Sequence, residues 1–472
     1  MAVGEGVSQE VTSRRTLSGP RLDRLPISRF HKRIFWLVGA GMFFDGYDLY
    51  VGTNVLGATL ASGFSTLAQN AQFVSMTFVG MTIGALAAGF LGDAFGRRFT
   101  YQVNLLVFGL ASLGAVLAPT MSWLVAARFV MGLGLGAEIV VGYSTLAEFV
   151  PPSSRGRWLA FMSLVVVSGL PATALLGSII IPTFGWRPVF LIAGIGALIV
   201  WYLRKSMPES PRWLESKDRF AEAEELITKI ETESANHDLL SLPQETTAIT
   251  PNLSVLDLFG PTLLPRLVVG SIGLIVVNTL IFGFVTWLPT FFIHQGLTLT
   301  RSFSYTLMIS LAAPVGCVIG AFAADRIGRR PTIIGAALLA IVFGALYPNM
   351  MQPLLLVPVG FCLLLAIYVL VALLYGVYTP ELFPTALRLR ANGICNMLGR
   401  GATIVSPFIV VALFKAYGVA GVTSFMIGLL IVLIVAVWAW GIEPAGLALE
   451  SIASTRSKSD FVKFGSQRQK AS

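Results

Sequence analysis

The stretch Gly92-Asp-Ala-Phe-Gly-Arg-Arg98 recurs as Ala324-Asp-Arg-Ile-Gly-Arg-Arg330, so one charged turn is written twice in a single chain. A second pattern travels with it. Glu148, Pro151 and Arg155 spell E-x-x-P-x-x-x-R, and Glu381, Pro384 and Arg388 spell it again about 232 residues further on. In both copies the charges stand where apolar runs break, and the chain therefore reads as a duplicated half.

Composition says what kind of half this is. Hydrophobic residues make up 55% of the chain and charged residues only 12%, against roughly 25% charged residues in soluble domains. Apolar windows of about 20 residues, the length that crosses a bilayer, fall at 34–57, 72–92, 100–118, 122–146, 158–181 and 187–204. Six more fall at 266–292, 303–323, 331–348, 353–378, 391–414 and 419–441. The expected fold is an all-α membrane protein with twelve transmembrane helices in two pseudo-symmetric six-helix halves. Its parts are a leader (1–33), an N-terminal half (34–204), a linker (205–265), a C-terminal half (266–441) and a tail (442–472).

The net charge of +9 does not imply nucleic acid, because the cations sort by membrane side. The leader, the turns at Arg97–Arg98, Arg155–Arg157, Arg329–Arg330 and Arg388–Arg390, the linker and the tail fall on one face, while the opposite loops carry little beyond Arg187, Arg301 and Lys415. Both termini are thus expected in the cytoplasm, with the chain spanning the plasma membrane, the inner membrane in a bacterium. The first span is too long and too late for a cleaved signal peptide.

Cys317, Cys362 and Cys395 lie in predicted spans without paired spacing and read as free thiols, and His31, His237 and His294 are scattered. Neither a metal site nor a His-based triad is expected, and no cofactor. In the linker, Ser210 can cap a helix with Pro211 at its first position, after which Trp213, Phe220, Ala223, Ile227 and Ile230 share one face. The segment 234–251, the first 30 residues and those after Thr455 read as structureless by composition.

Ionisable groups at membrane depth are costly, at least ~2.5 kcal/mol on the most lenient scale, and mark function. Asp45 and Asp48 stand roughly 16 and 21 Å into the first span, and Arg128 in the fourth reaches about the depth of Asp48, so these two can pair. A carboxylate alternating between Arg and a proton gives a physical basis for coupling; a static pair that fixes packing is the alternative. Arg400 stands roughly 14 Å into the eleventh span and can offer a bidentate fork to an anion, with Asn392 and Asn396 nearby, unless it merely neutralises an aspartate. Tyr47, Trp287 and Tyr375 are candidate ring or hydroxyl partners, although packing explains such aromatics as well. Gly132, Gly134 and Gly136 echo a nucleotide-binding loop, but no strand precedes them, and close helix packing explains them better. No Lys follows a Gly anywhere, so no P-loop is present and an ion gradient is the expected energy source.

These residues carry a resemblance. Residues 89–98 and their echo at 325–330 resemble the loop signature of the major facilitator superfamily. Arg128-Phe-Val-Met-Gly-Leu-Gly-Leu-Gly-Ala-Glu138, Pro208-Glu-Ser-Pro-Arg-Trp-Leu214 and Tyr378-Thr-Pro-Glu-Leu-Phe-Pro384 look like its sugar-porter and organic-ion side. Asp45-Gly-Tyr-Asp48 is similar to the D-G-x-D signature of aromatic-acid:proton symporters. The resemblance implies a secondary transporter working by alternating access, not an enzyme, and functional as a monomer. It also implies a cytoplasmic latch made by Asp93, Arg97, Arg98, Glu148 and Arg155 and repeated by Asp325, Arg329, Arg330, Glu381 and Arg388, with solvated topology charges as the alternative.

The cargo expected on this reading is a small organic anion, an aromatic monocarboxylate, taken up with protons. A sugar or polyol:proton symporter is the runner-up, although 266–292 lacks the paired Gln residues typical of sugar porters. A membrane sensor would need a signalling domain, and none is recognisable in the linker or tail.

Overall fold

The computed structural model describes residues 18–234, 255–350, 352–383 and 385–443. Among them the regular elements are helical. In the first part of the chain α1 spans Ser18–Asp23, α2 Arg29–Ala61, α3 Leu67–Phe95, α4 Arg97–Val116, α5 Met121–Phe149, α6 Pro152–Val167, α7 Gly169–Phe184 and α8 Arg187–Leu203. The linker contributes α9 Pro211–Ser216 and α10 Phe220–Ser234. There follow α11 Leu264–Gly283, α12 Leu288–His294, α13 Leu299–Ser310, α14 Ala312–Ile327, α15 Arg329–Leu346, α16 Pro353–Val371, a π-helical turn at Ala372–Tyr378, α17 Thr379–Glu381 and α18 Thr385–Trp440.

Ten helical stretches among the described residues are long and apolar enough to cross a membrane. The first span, α2, is outside those ten because Asp45 and Asp48 dilute its apolar run. The last stretch contains two spans, and Gly418, with φ of 64°, breaks α18 where the sequence separates 391–414 from 419–441. Caps fix other starts: Thr120 accepts from Trp123 N, Ser210 from Trp213 N and Thr298 from Arg301 N, each at 3.4 Å.

Two expectations need correction. Residues 18–30 are not structureless: Arg21 pairs with Glu224 at 2.7 Å and Glu231 at 2.6 Å, and Arg24 pairs with Glu231 at 2.9 Å. These ion pairs tie α1 to the linker, a long-range effect that composition cannot register. The linker itself is two helices rather than one face, because the chain turns at Asp218, whose φ is 58°. Trp213, Ala223, Ile227 and Ile230 are buried, but Phe220 is 38% exposed. The expectations for residues 235–251 and for those after Thr455 lie outside the described residues.

The described residues group into two compact units. The first comprises those of Met1–Tyr50, Val79–Gly169 and Arg187–Thr247. Its helices approach at glycines. A Cβ on Gly84 would stand 1.9 Å from the Leu133 carbonyl oxygen, and one on Gly136 2.0 Å from that of Met81, so the glycine run of α5 is a helix-packing surface. The second comprises the described residues of Val51–Phe78, Leu170–Trp186 and Ala248–Ser472. In it Phe78 meets Phe282 edge-on at 4.4 Å between centroids, and Gly399 of α18 abuts Leu274 and Asn278 of α11. Cys317, Cys362 and Cys395 are free thiols.

Candidate functional site

In the first unit, Gly41, Asp45 and Asp48 follow one another at intervals of four and three along α2 and so share one face. Arg128 Nη1 donates to Asp48 Oδ2, and its Nη2 reaches the Asp48 carbonyl at 3.3 Å. Both residues are buried, at 2% and 0% side-chain exposure, so this is an ion pair removed from water. Asp45 is also buried, and neither of its carboxylate oxygens has a hydrogen-bond partner among the described residues. Between the two aspartates Gly46 has a structural duty: its Cβ would fall 2.1 Å from the Val166 carbonyl oxygen, where α2 crosses the Val166–Gly169 region. Tyr47 is buried and directs its hydroxyl to the Val189 carbonyl at 3.4 Å.

A second buried pair escaped the sequence reading. Glu138 of α5 receives a hydrogen bond from Arg204 Nη1, and their side chains are 1% and 0% exposed. Arg204 Nε donates to the Leu37 carbonyl and Nη2 to that of Val38, each at 2.7 Å, while the Tyr101 ring lies 4.7 Å from the guanidinium carbon. Gly41 makes this seat, since a Cβ there would stand 2.1 Å from Arg204 Nη2 and 2.9 Å from Glu138 Oε1. Glu138, Arg204 and Asp48 are among the charged groups within electrostatic reach of Asp45. The membrane-depth rule that singled out Asp45 applies equally to Glu138 and could have found it. The notch at Gly41 leaves no trace in sequence.

In the second unit, Tyr375 sits in the π-helical turn, a local unwinding that re-aims side chains and recurs at functional sites. Its hydroxyl donates to Asn278 Oδ1 at 2.8 Å, and Arg400 lies within electrostatic reach of it. Asn278, on α11, was also missed; an amide in an apolar span was the available signal. Asn396 Nδ2 donates to both the carbonyl of Asn392, at 2.9 Å, and its Oδ1, at 3.2 Å, so these two amides engage each other along the helix. Trp287 and Thr290 are buried, with Nε1 and Oγ1 unpartnered among the described residues.

The duplicated turns have parallel internal geometry. Arg97 bridges Asp93 and Glu148, each at 3.1 Å, and Arg329 meets Glu381 at 3.1 Å. Gly96 and Gly328 precede α4 and α15 at φ of 96° and 105°. Beyond them Glu209 accepts from the backbone of Arg97, at 2.8 Å, and of Arg98. Glu443 likewise accepts from Arg329 N, at 3.0 Å, and Arg330 N, at 2.8 Å. Each acid thus caps a helix N-terminus, where the orphan N–H groups and the dipole favour an anion. Arg155 departs from its expected latch partners: it reaches Asp23 of the leader at 3.3 Å, and Asp23 also holds Arg212 at 2.8 Å. The side chains of Asp325 and Arg388 lie outside the described part.

Residues 38–455 match the model of the family described as "Sugar (and other) transporter". The chain is 37% identical over 446 residues to the inner membrane metabolite transport protein YdjE of Escherichia coli K12, covering 92% of this chain and 98% of that one. It is 31% identical over 436 residues to the niacin transporter NiaP of Acinetobacter baylyi, with the same coverage. A crystal structure of a D-xylose-proton symporter superposes with a TM-score of 0.67 at 19% identity, over 88% of this chain and 99% of that one, which establishes the fold. The duplicated Gly-Arg-Arg turns, the apolar helices and the buried charges on them are those of a multi-pass membrane transporter, and the chain belongs to the sugar (and other) transporter family with the major facilitator fold.

Proposed function

We propose that this transporter is a proton-coupled symporter that takes up a small organic acid, an aromatic monocarboxylate, across the plasma membrane by alternating access, with both termini cytoplasmic. The observation that carries the reading is the unequal distribution of charge within the apolar spans. Asp45, Asp48 and Arg128 lie together in one unit, whereas the other presents Arg400 beside Tyr375 and Asn278.

Asp48 serves as a proton acceptor because a proton competes with Arg128 for the same oxygen. Protonation frees the guanidinium, and deprotonation restores the pair. Arg400 suits a carboxylate through its planar fork, Tyr375 can stack on a ring, and Asn278 fixes the phenol. The niacin transporter among the relatives carries a pyridine monocarboxylate, which agrees with this chemistry. The Arg97 and Arg329 bridges act as latches that bias the two access states without touching cargo.

The test is uptake into proteoliposomes under an imposed proton gradient, comparing nicotinate, benzoate, an aliphatic acid and xylose. Accumulation of an aromatic acid that collapses with a protonophore supports the reading; accumulation indifferent to the protonophore overturns the coupling. Preference for xylose would favour a sugar:proton symporter, the alternative that the amides Asn278, Asn392 and Asn396 suit.

A further inference from the structure

We infer that Asp45, Glu138 and Arg204 form a second proton site, distinct from the Asp48–Arg128 pair, in which Arg204 remains on Glu138 and one exchangeable proton resides on Asp45. This deepens the proposed coupling and rests on it for the role of the proton in transport.

Two acids and one guanidinium meet where the side chains are shielded from solvent. Asp45, Glu138 and Arg204 are exposed by 2%, 1% and 1%, so two carboxyls share one guanidinium. The guanidinium is committed: it donates to Glu138 and to the carbonyls of Leu37 and Val38, under the Tyr101 ring. Both Asp45 oxygens and Glu138 Oε2 lack a partner among the described residues. Asp48, a further charged neighbour of Asp45, is an acid already engaged by Arg128. Around the Tyr101 ring the charged groups are Arg204, Glu138 and Glu148.

A buried carboxylate without a counter-charge or a hydrogen bond takes up a proton instead. Because Gly41 lets Arg204 reach the α2 backbone beside Glu138, Asp45 one turn further along is left to carry that proton. Loading moves a proton from water onto a carboxylate oxygen of Asp45; unloading returns it to water, and no other bond changes. Among the described residues no group of three or more His, Cys, Asp or Glu could hold a metal ion instead.

Infrared difference spectroscopy of the purified protein reads the protonated-carboxyl band directly and needs no transport. At neutral pH the wild type is expected to show a band that is lost in Asp45→Asn. It is also lost in Glu138→Gln, because Asp45 then ionises as the one carboxylate left to Arg204. The band should grow roughly twofold in Arg204→Met, where both acids become neutral, and persist in Asp48→Asn. Absence of the band in the wild type, or its retention in either Asp45→Asn or Glu138→Gln, overturns the site whether or not Arg204→Met folds. Loss of the wild-type band on adding sodium would overturn it in favour of a metal ion. Failure of the protonophore test would sink proton-coupled uptake and leave this band unchanged, so the two failures are distinguishable.

Discussion

The membrane-spanning interiors of the two sequence halves hold different ionisable groups. Spans of the first half contain Asp45, Asp48 and Glu138, joined to Arg128 and Arg204. Between residues 266 and 441 the only acidic residues are Asp325 and Glu381, both at the C-terminal ends of helices, while Arg400 stands within an apolar span among amides and a phenol. The duplicated charged turns, by contrast, remain near copies: Arg97 with Glu148 and Glu209 corresponds to Arg329 with Glu381 and Glu443. The duplication is visible in the paired turns and is not visible in the ionisable groups of the spans.

Asp48→Asn is the strongest way to break this contrast. It leaves the Arg128 guanidinium buried without its carboxylate, a loss that costs about 3–5 kcal/mol when one partner of such a pair is removed. Concentrative uptake should be abolished while exchange of labelled for unlabelled cargo persists. Concentrative uptake equal to wild type would show that the pair is only a packing element.

Gly41→Ala and Gly393→Ala compare a filled notch in the first half with an exposed, open position in the second. The first introduces a Cβ 2.1 Å from Arg204 Nη2 and should destabilise by about 1–3 kcal/mol, read as a lowered Tm in detergent. The second enters open space and should be neutral or stabilising by up to about 1 kcal/mol. Equal effects would deny the notch its special role.

Arg400→Lys sharpens the second-half side of the contrast. The charge remains but the fork is lost, so binding of the aromatic acid should weaken by on the order of 1–3 kcal/mol in calorimetry, with the matching amide nearly indifferent. Parallel losses for acid and amide would remove Arg400 from carboxylate recognition.

The smallest effect lies in the leader, which has ion pairs to the linker. Hydrogen bonds from Arg21 hold the Glu231 carboxyl below the usual carboxylate range, with Arg24 adding to the effect. A depressed value means that the stabilisation is present above about pH 4.3, the ordinary glutamate value, and is lost as pH falls through the lowered one. Being partly exposed, these pairs are worth about 0.2–1 kcal/mol each. Hydrogen exchange at Ser18–Asp23, corrected for intrinsic rate, should therefore lose protection in acid, and Glu231→Gln should remove that pH dependence. Protection independent of pH in the wild type would show that α1 is held by other contacts.

The sequence by itself determined the twelve spans, the duplication and the choice of Asp45, Asp48, Arg128 and Arg400 as the charges set within apolar spans, because each depends on composition or spacing along one chain. Even the break between the last two spans was legible, since residues 415–418, beginning with Lys415, interrupt the apolar run where Gly418 leaves the helical conformation. What only the tertiary structure decided was partnership. Arg204 meets Glu138 because Gly41 leaves a notch on a third helix, Glu209 and Glu443 cap turns more than 110 residues upstream, and Arg155 answers Asp23 instead of its own motif. Such pairings are set by which helix faces meet at close range, and a one-dimensional pattern fixes the face of a helix but not its neighbour.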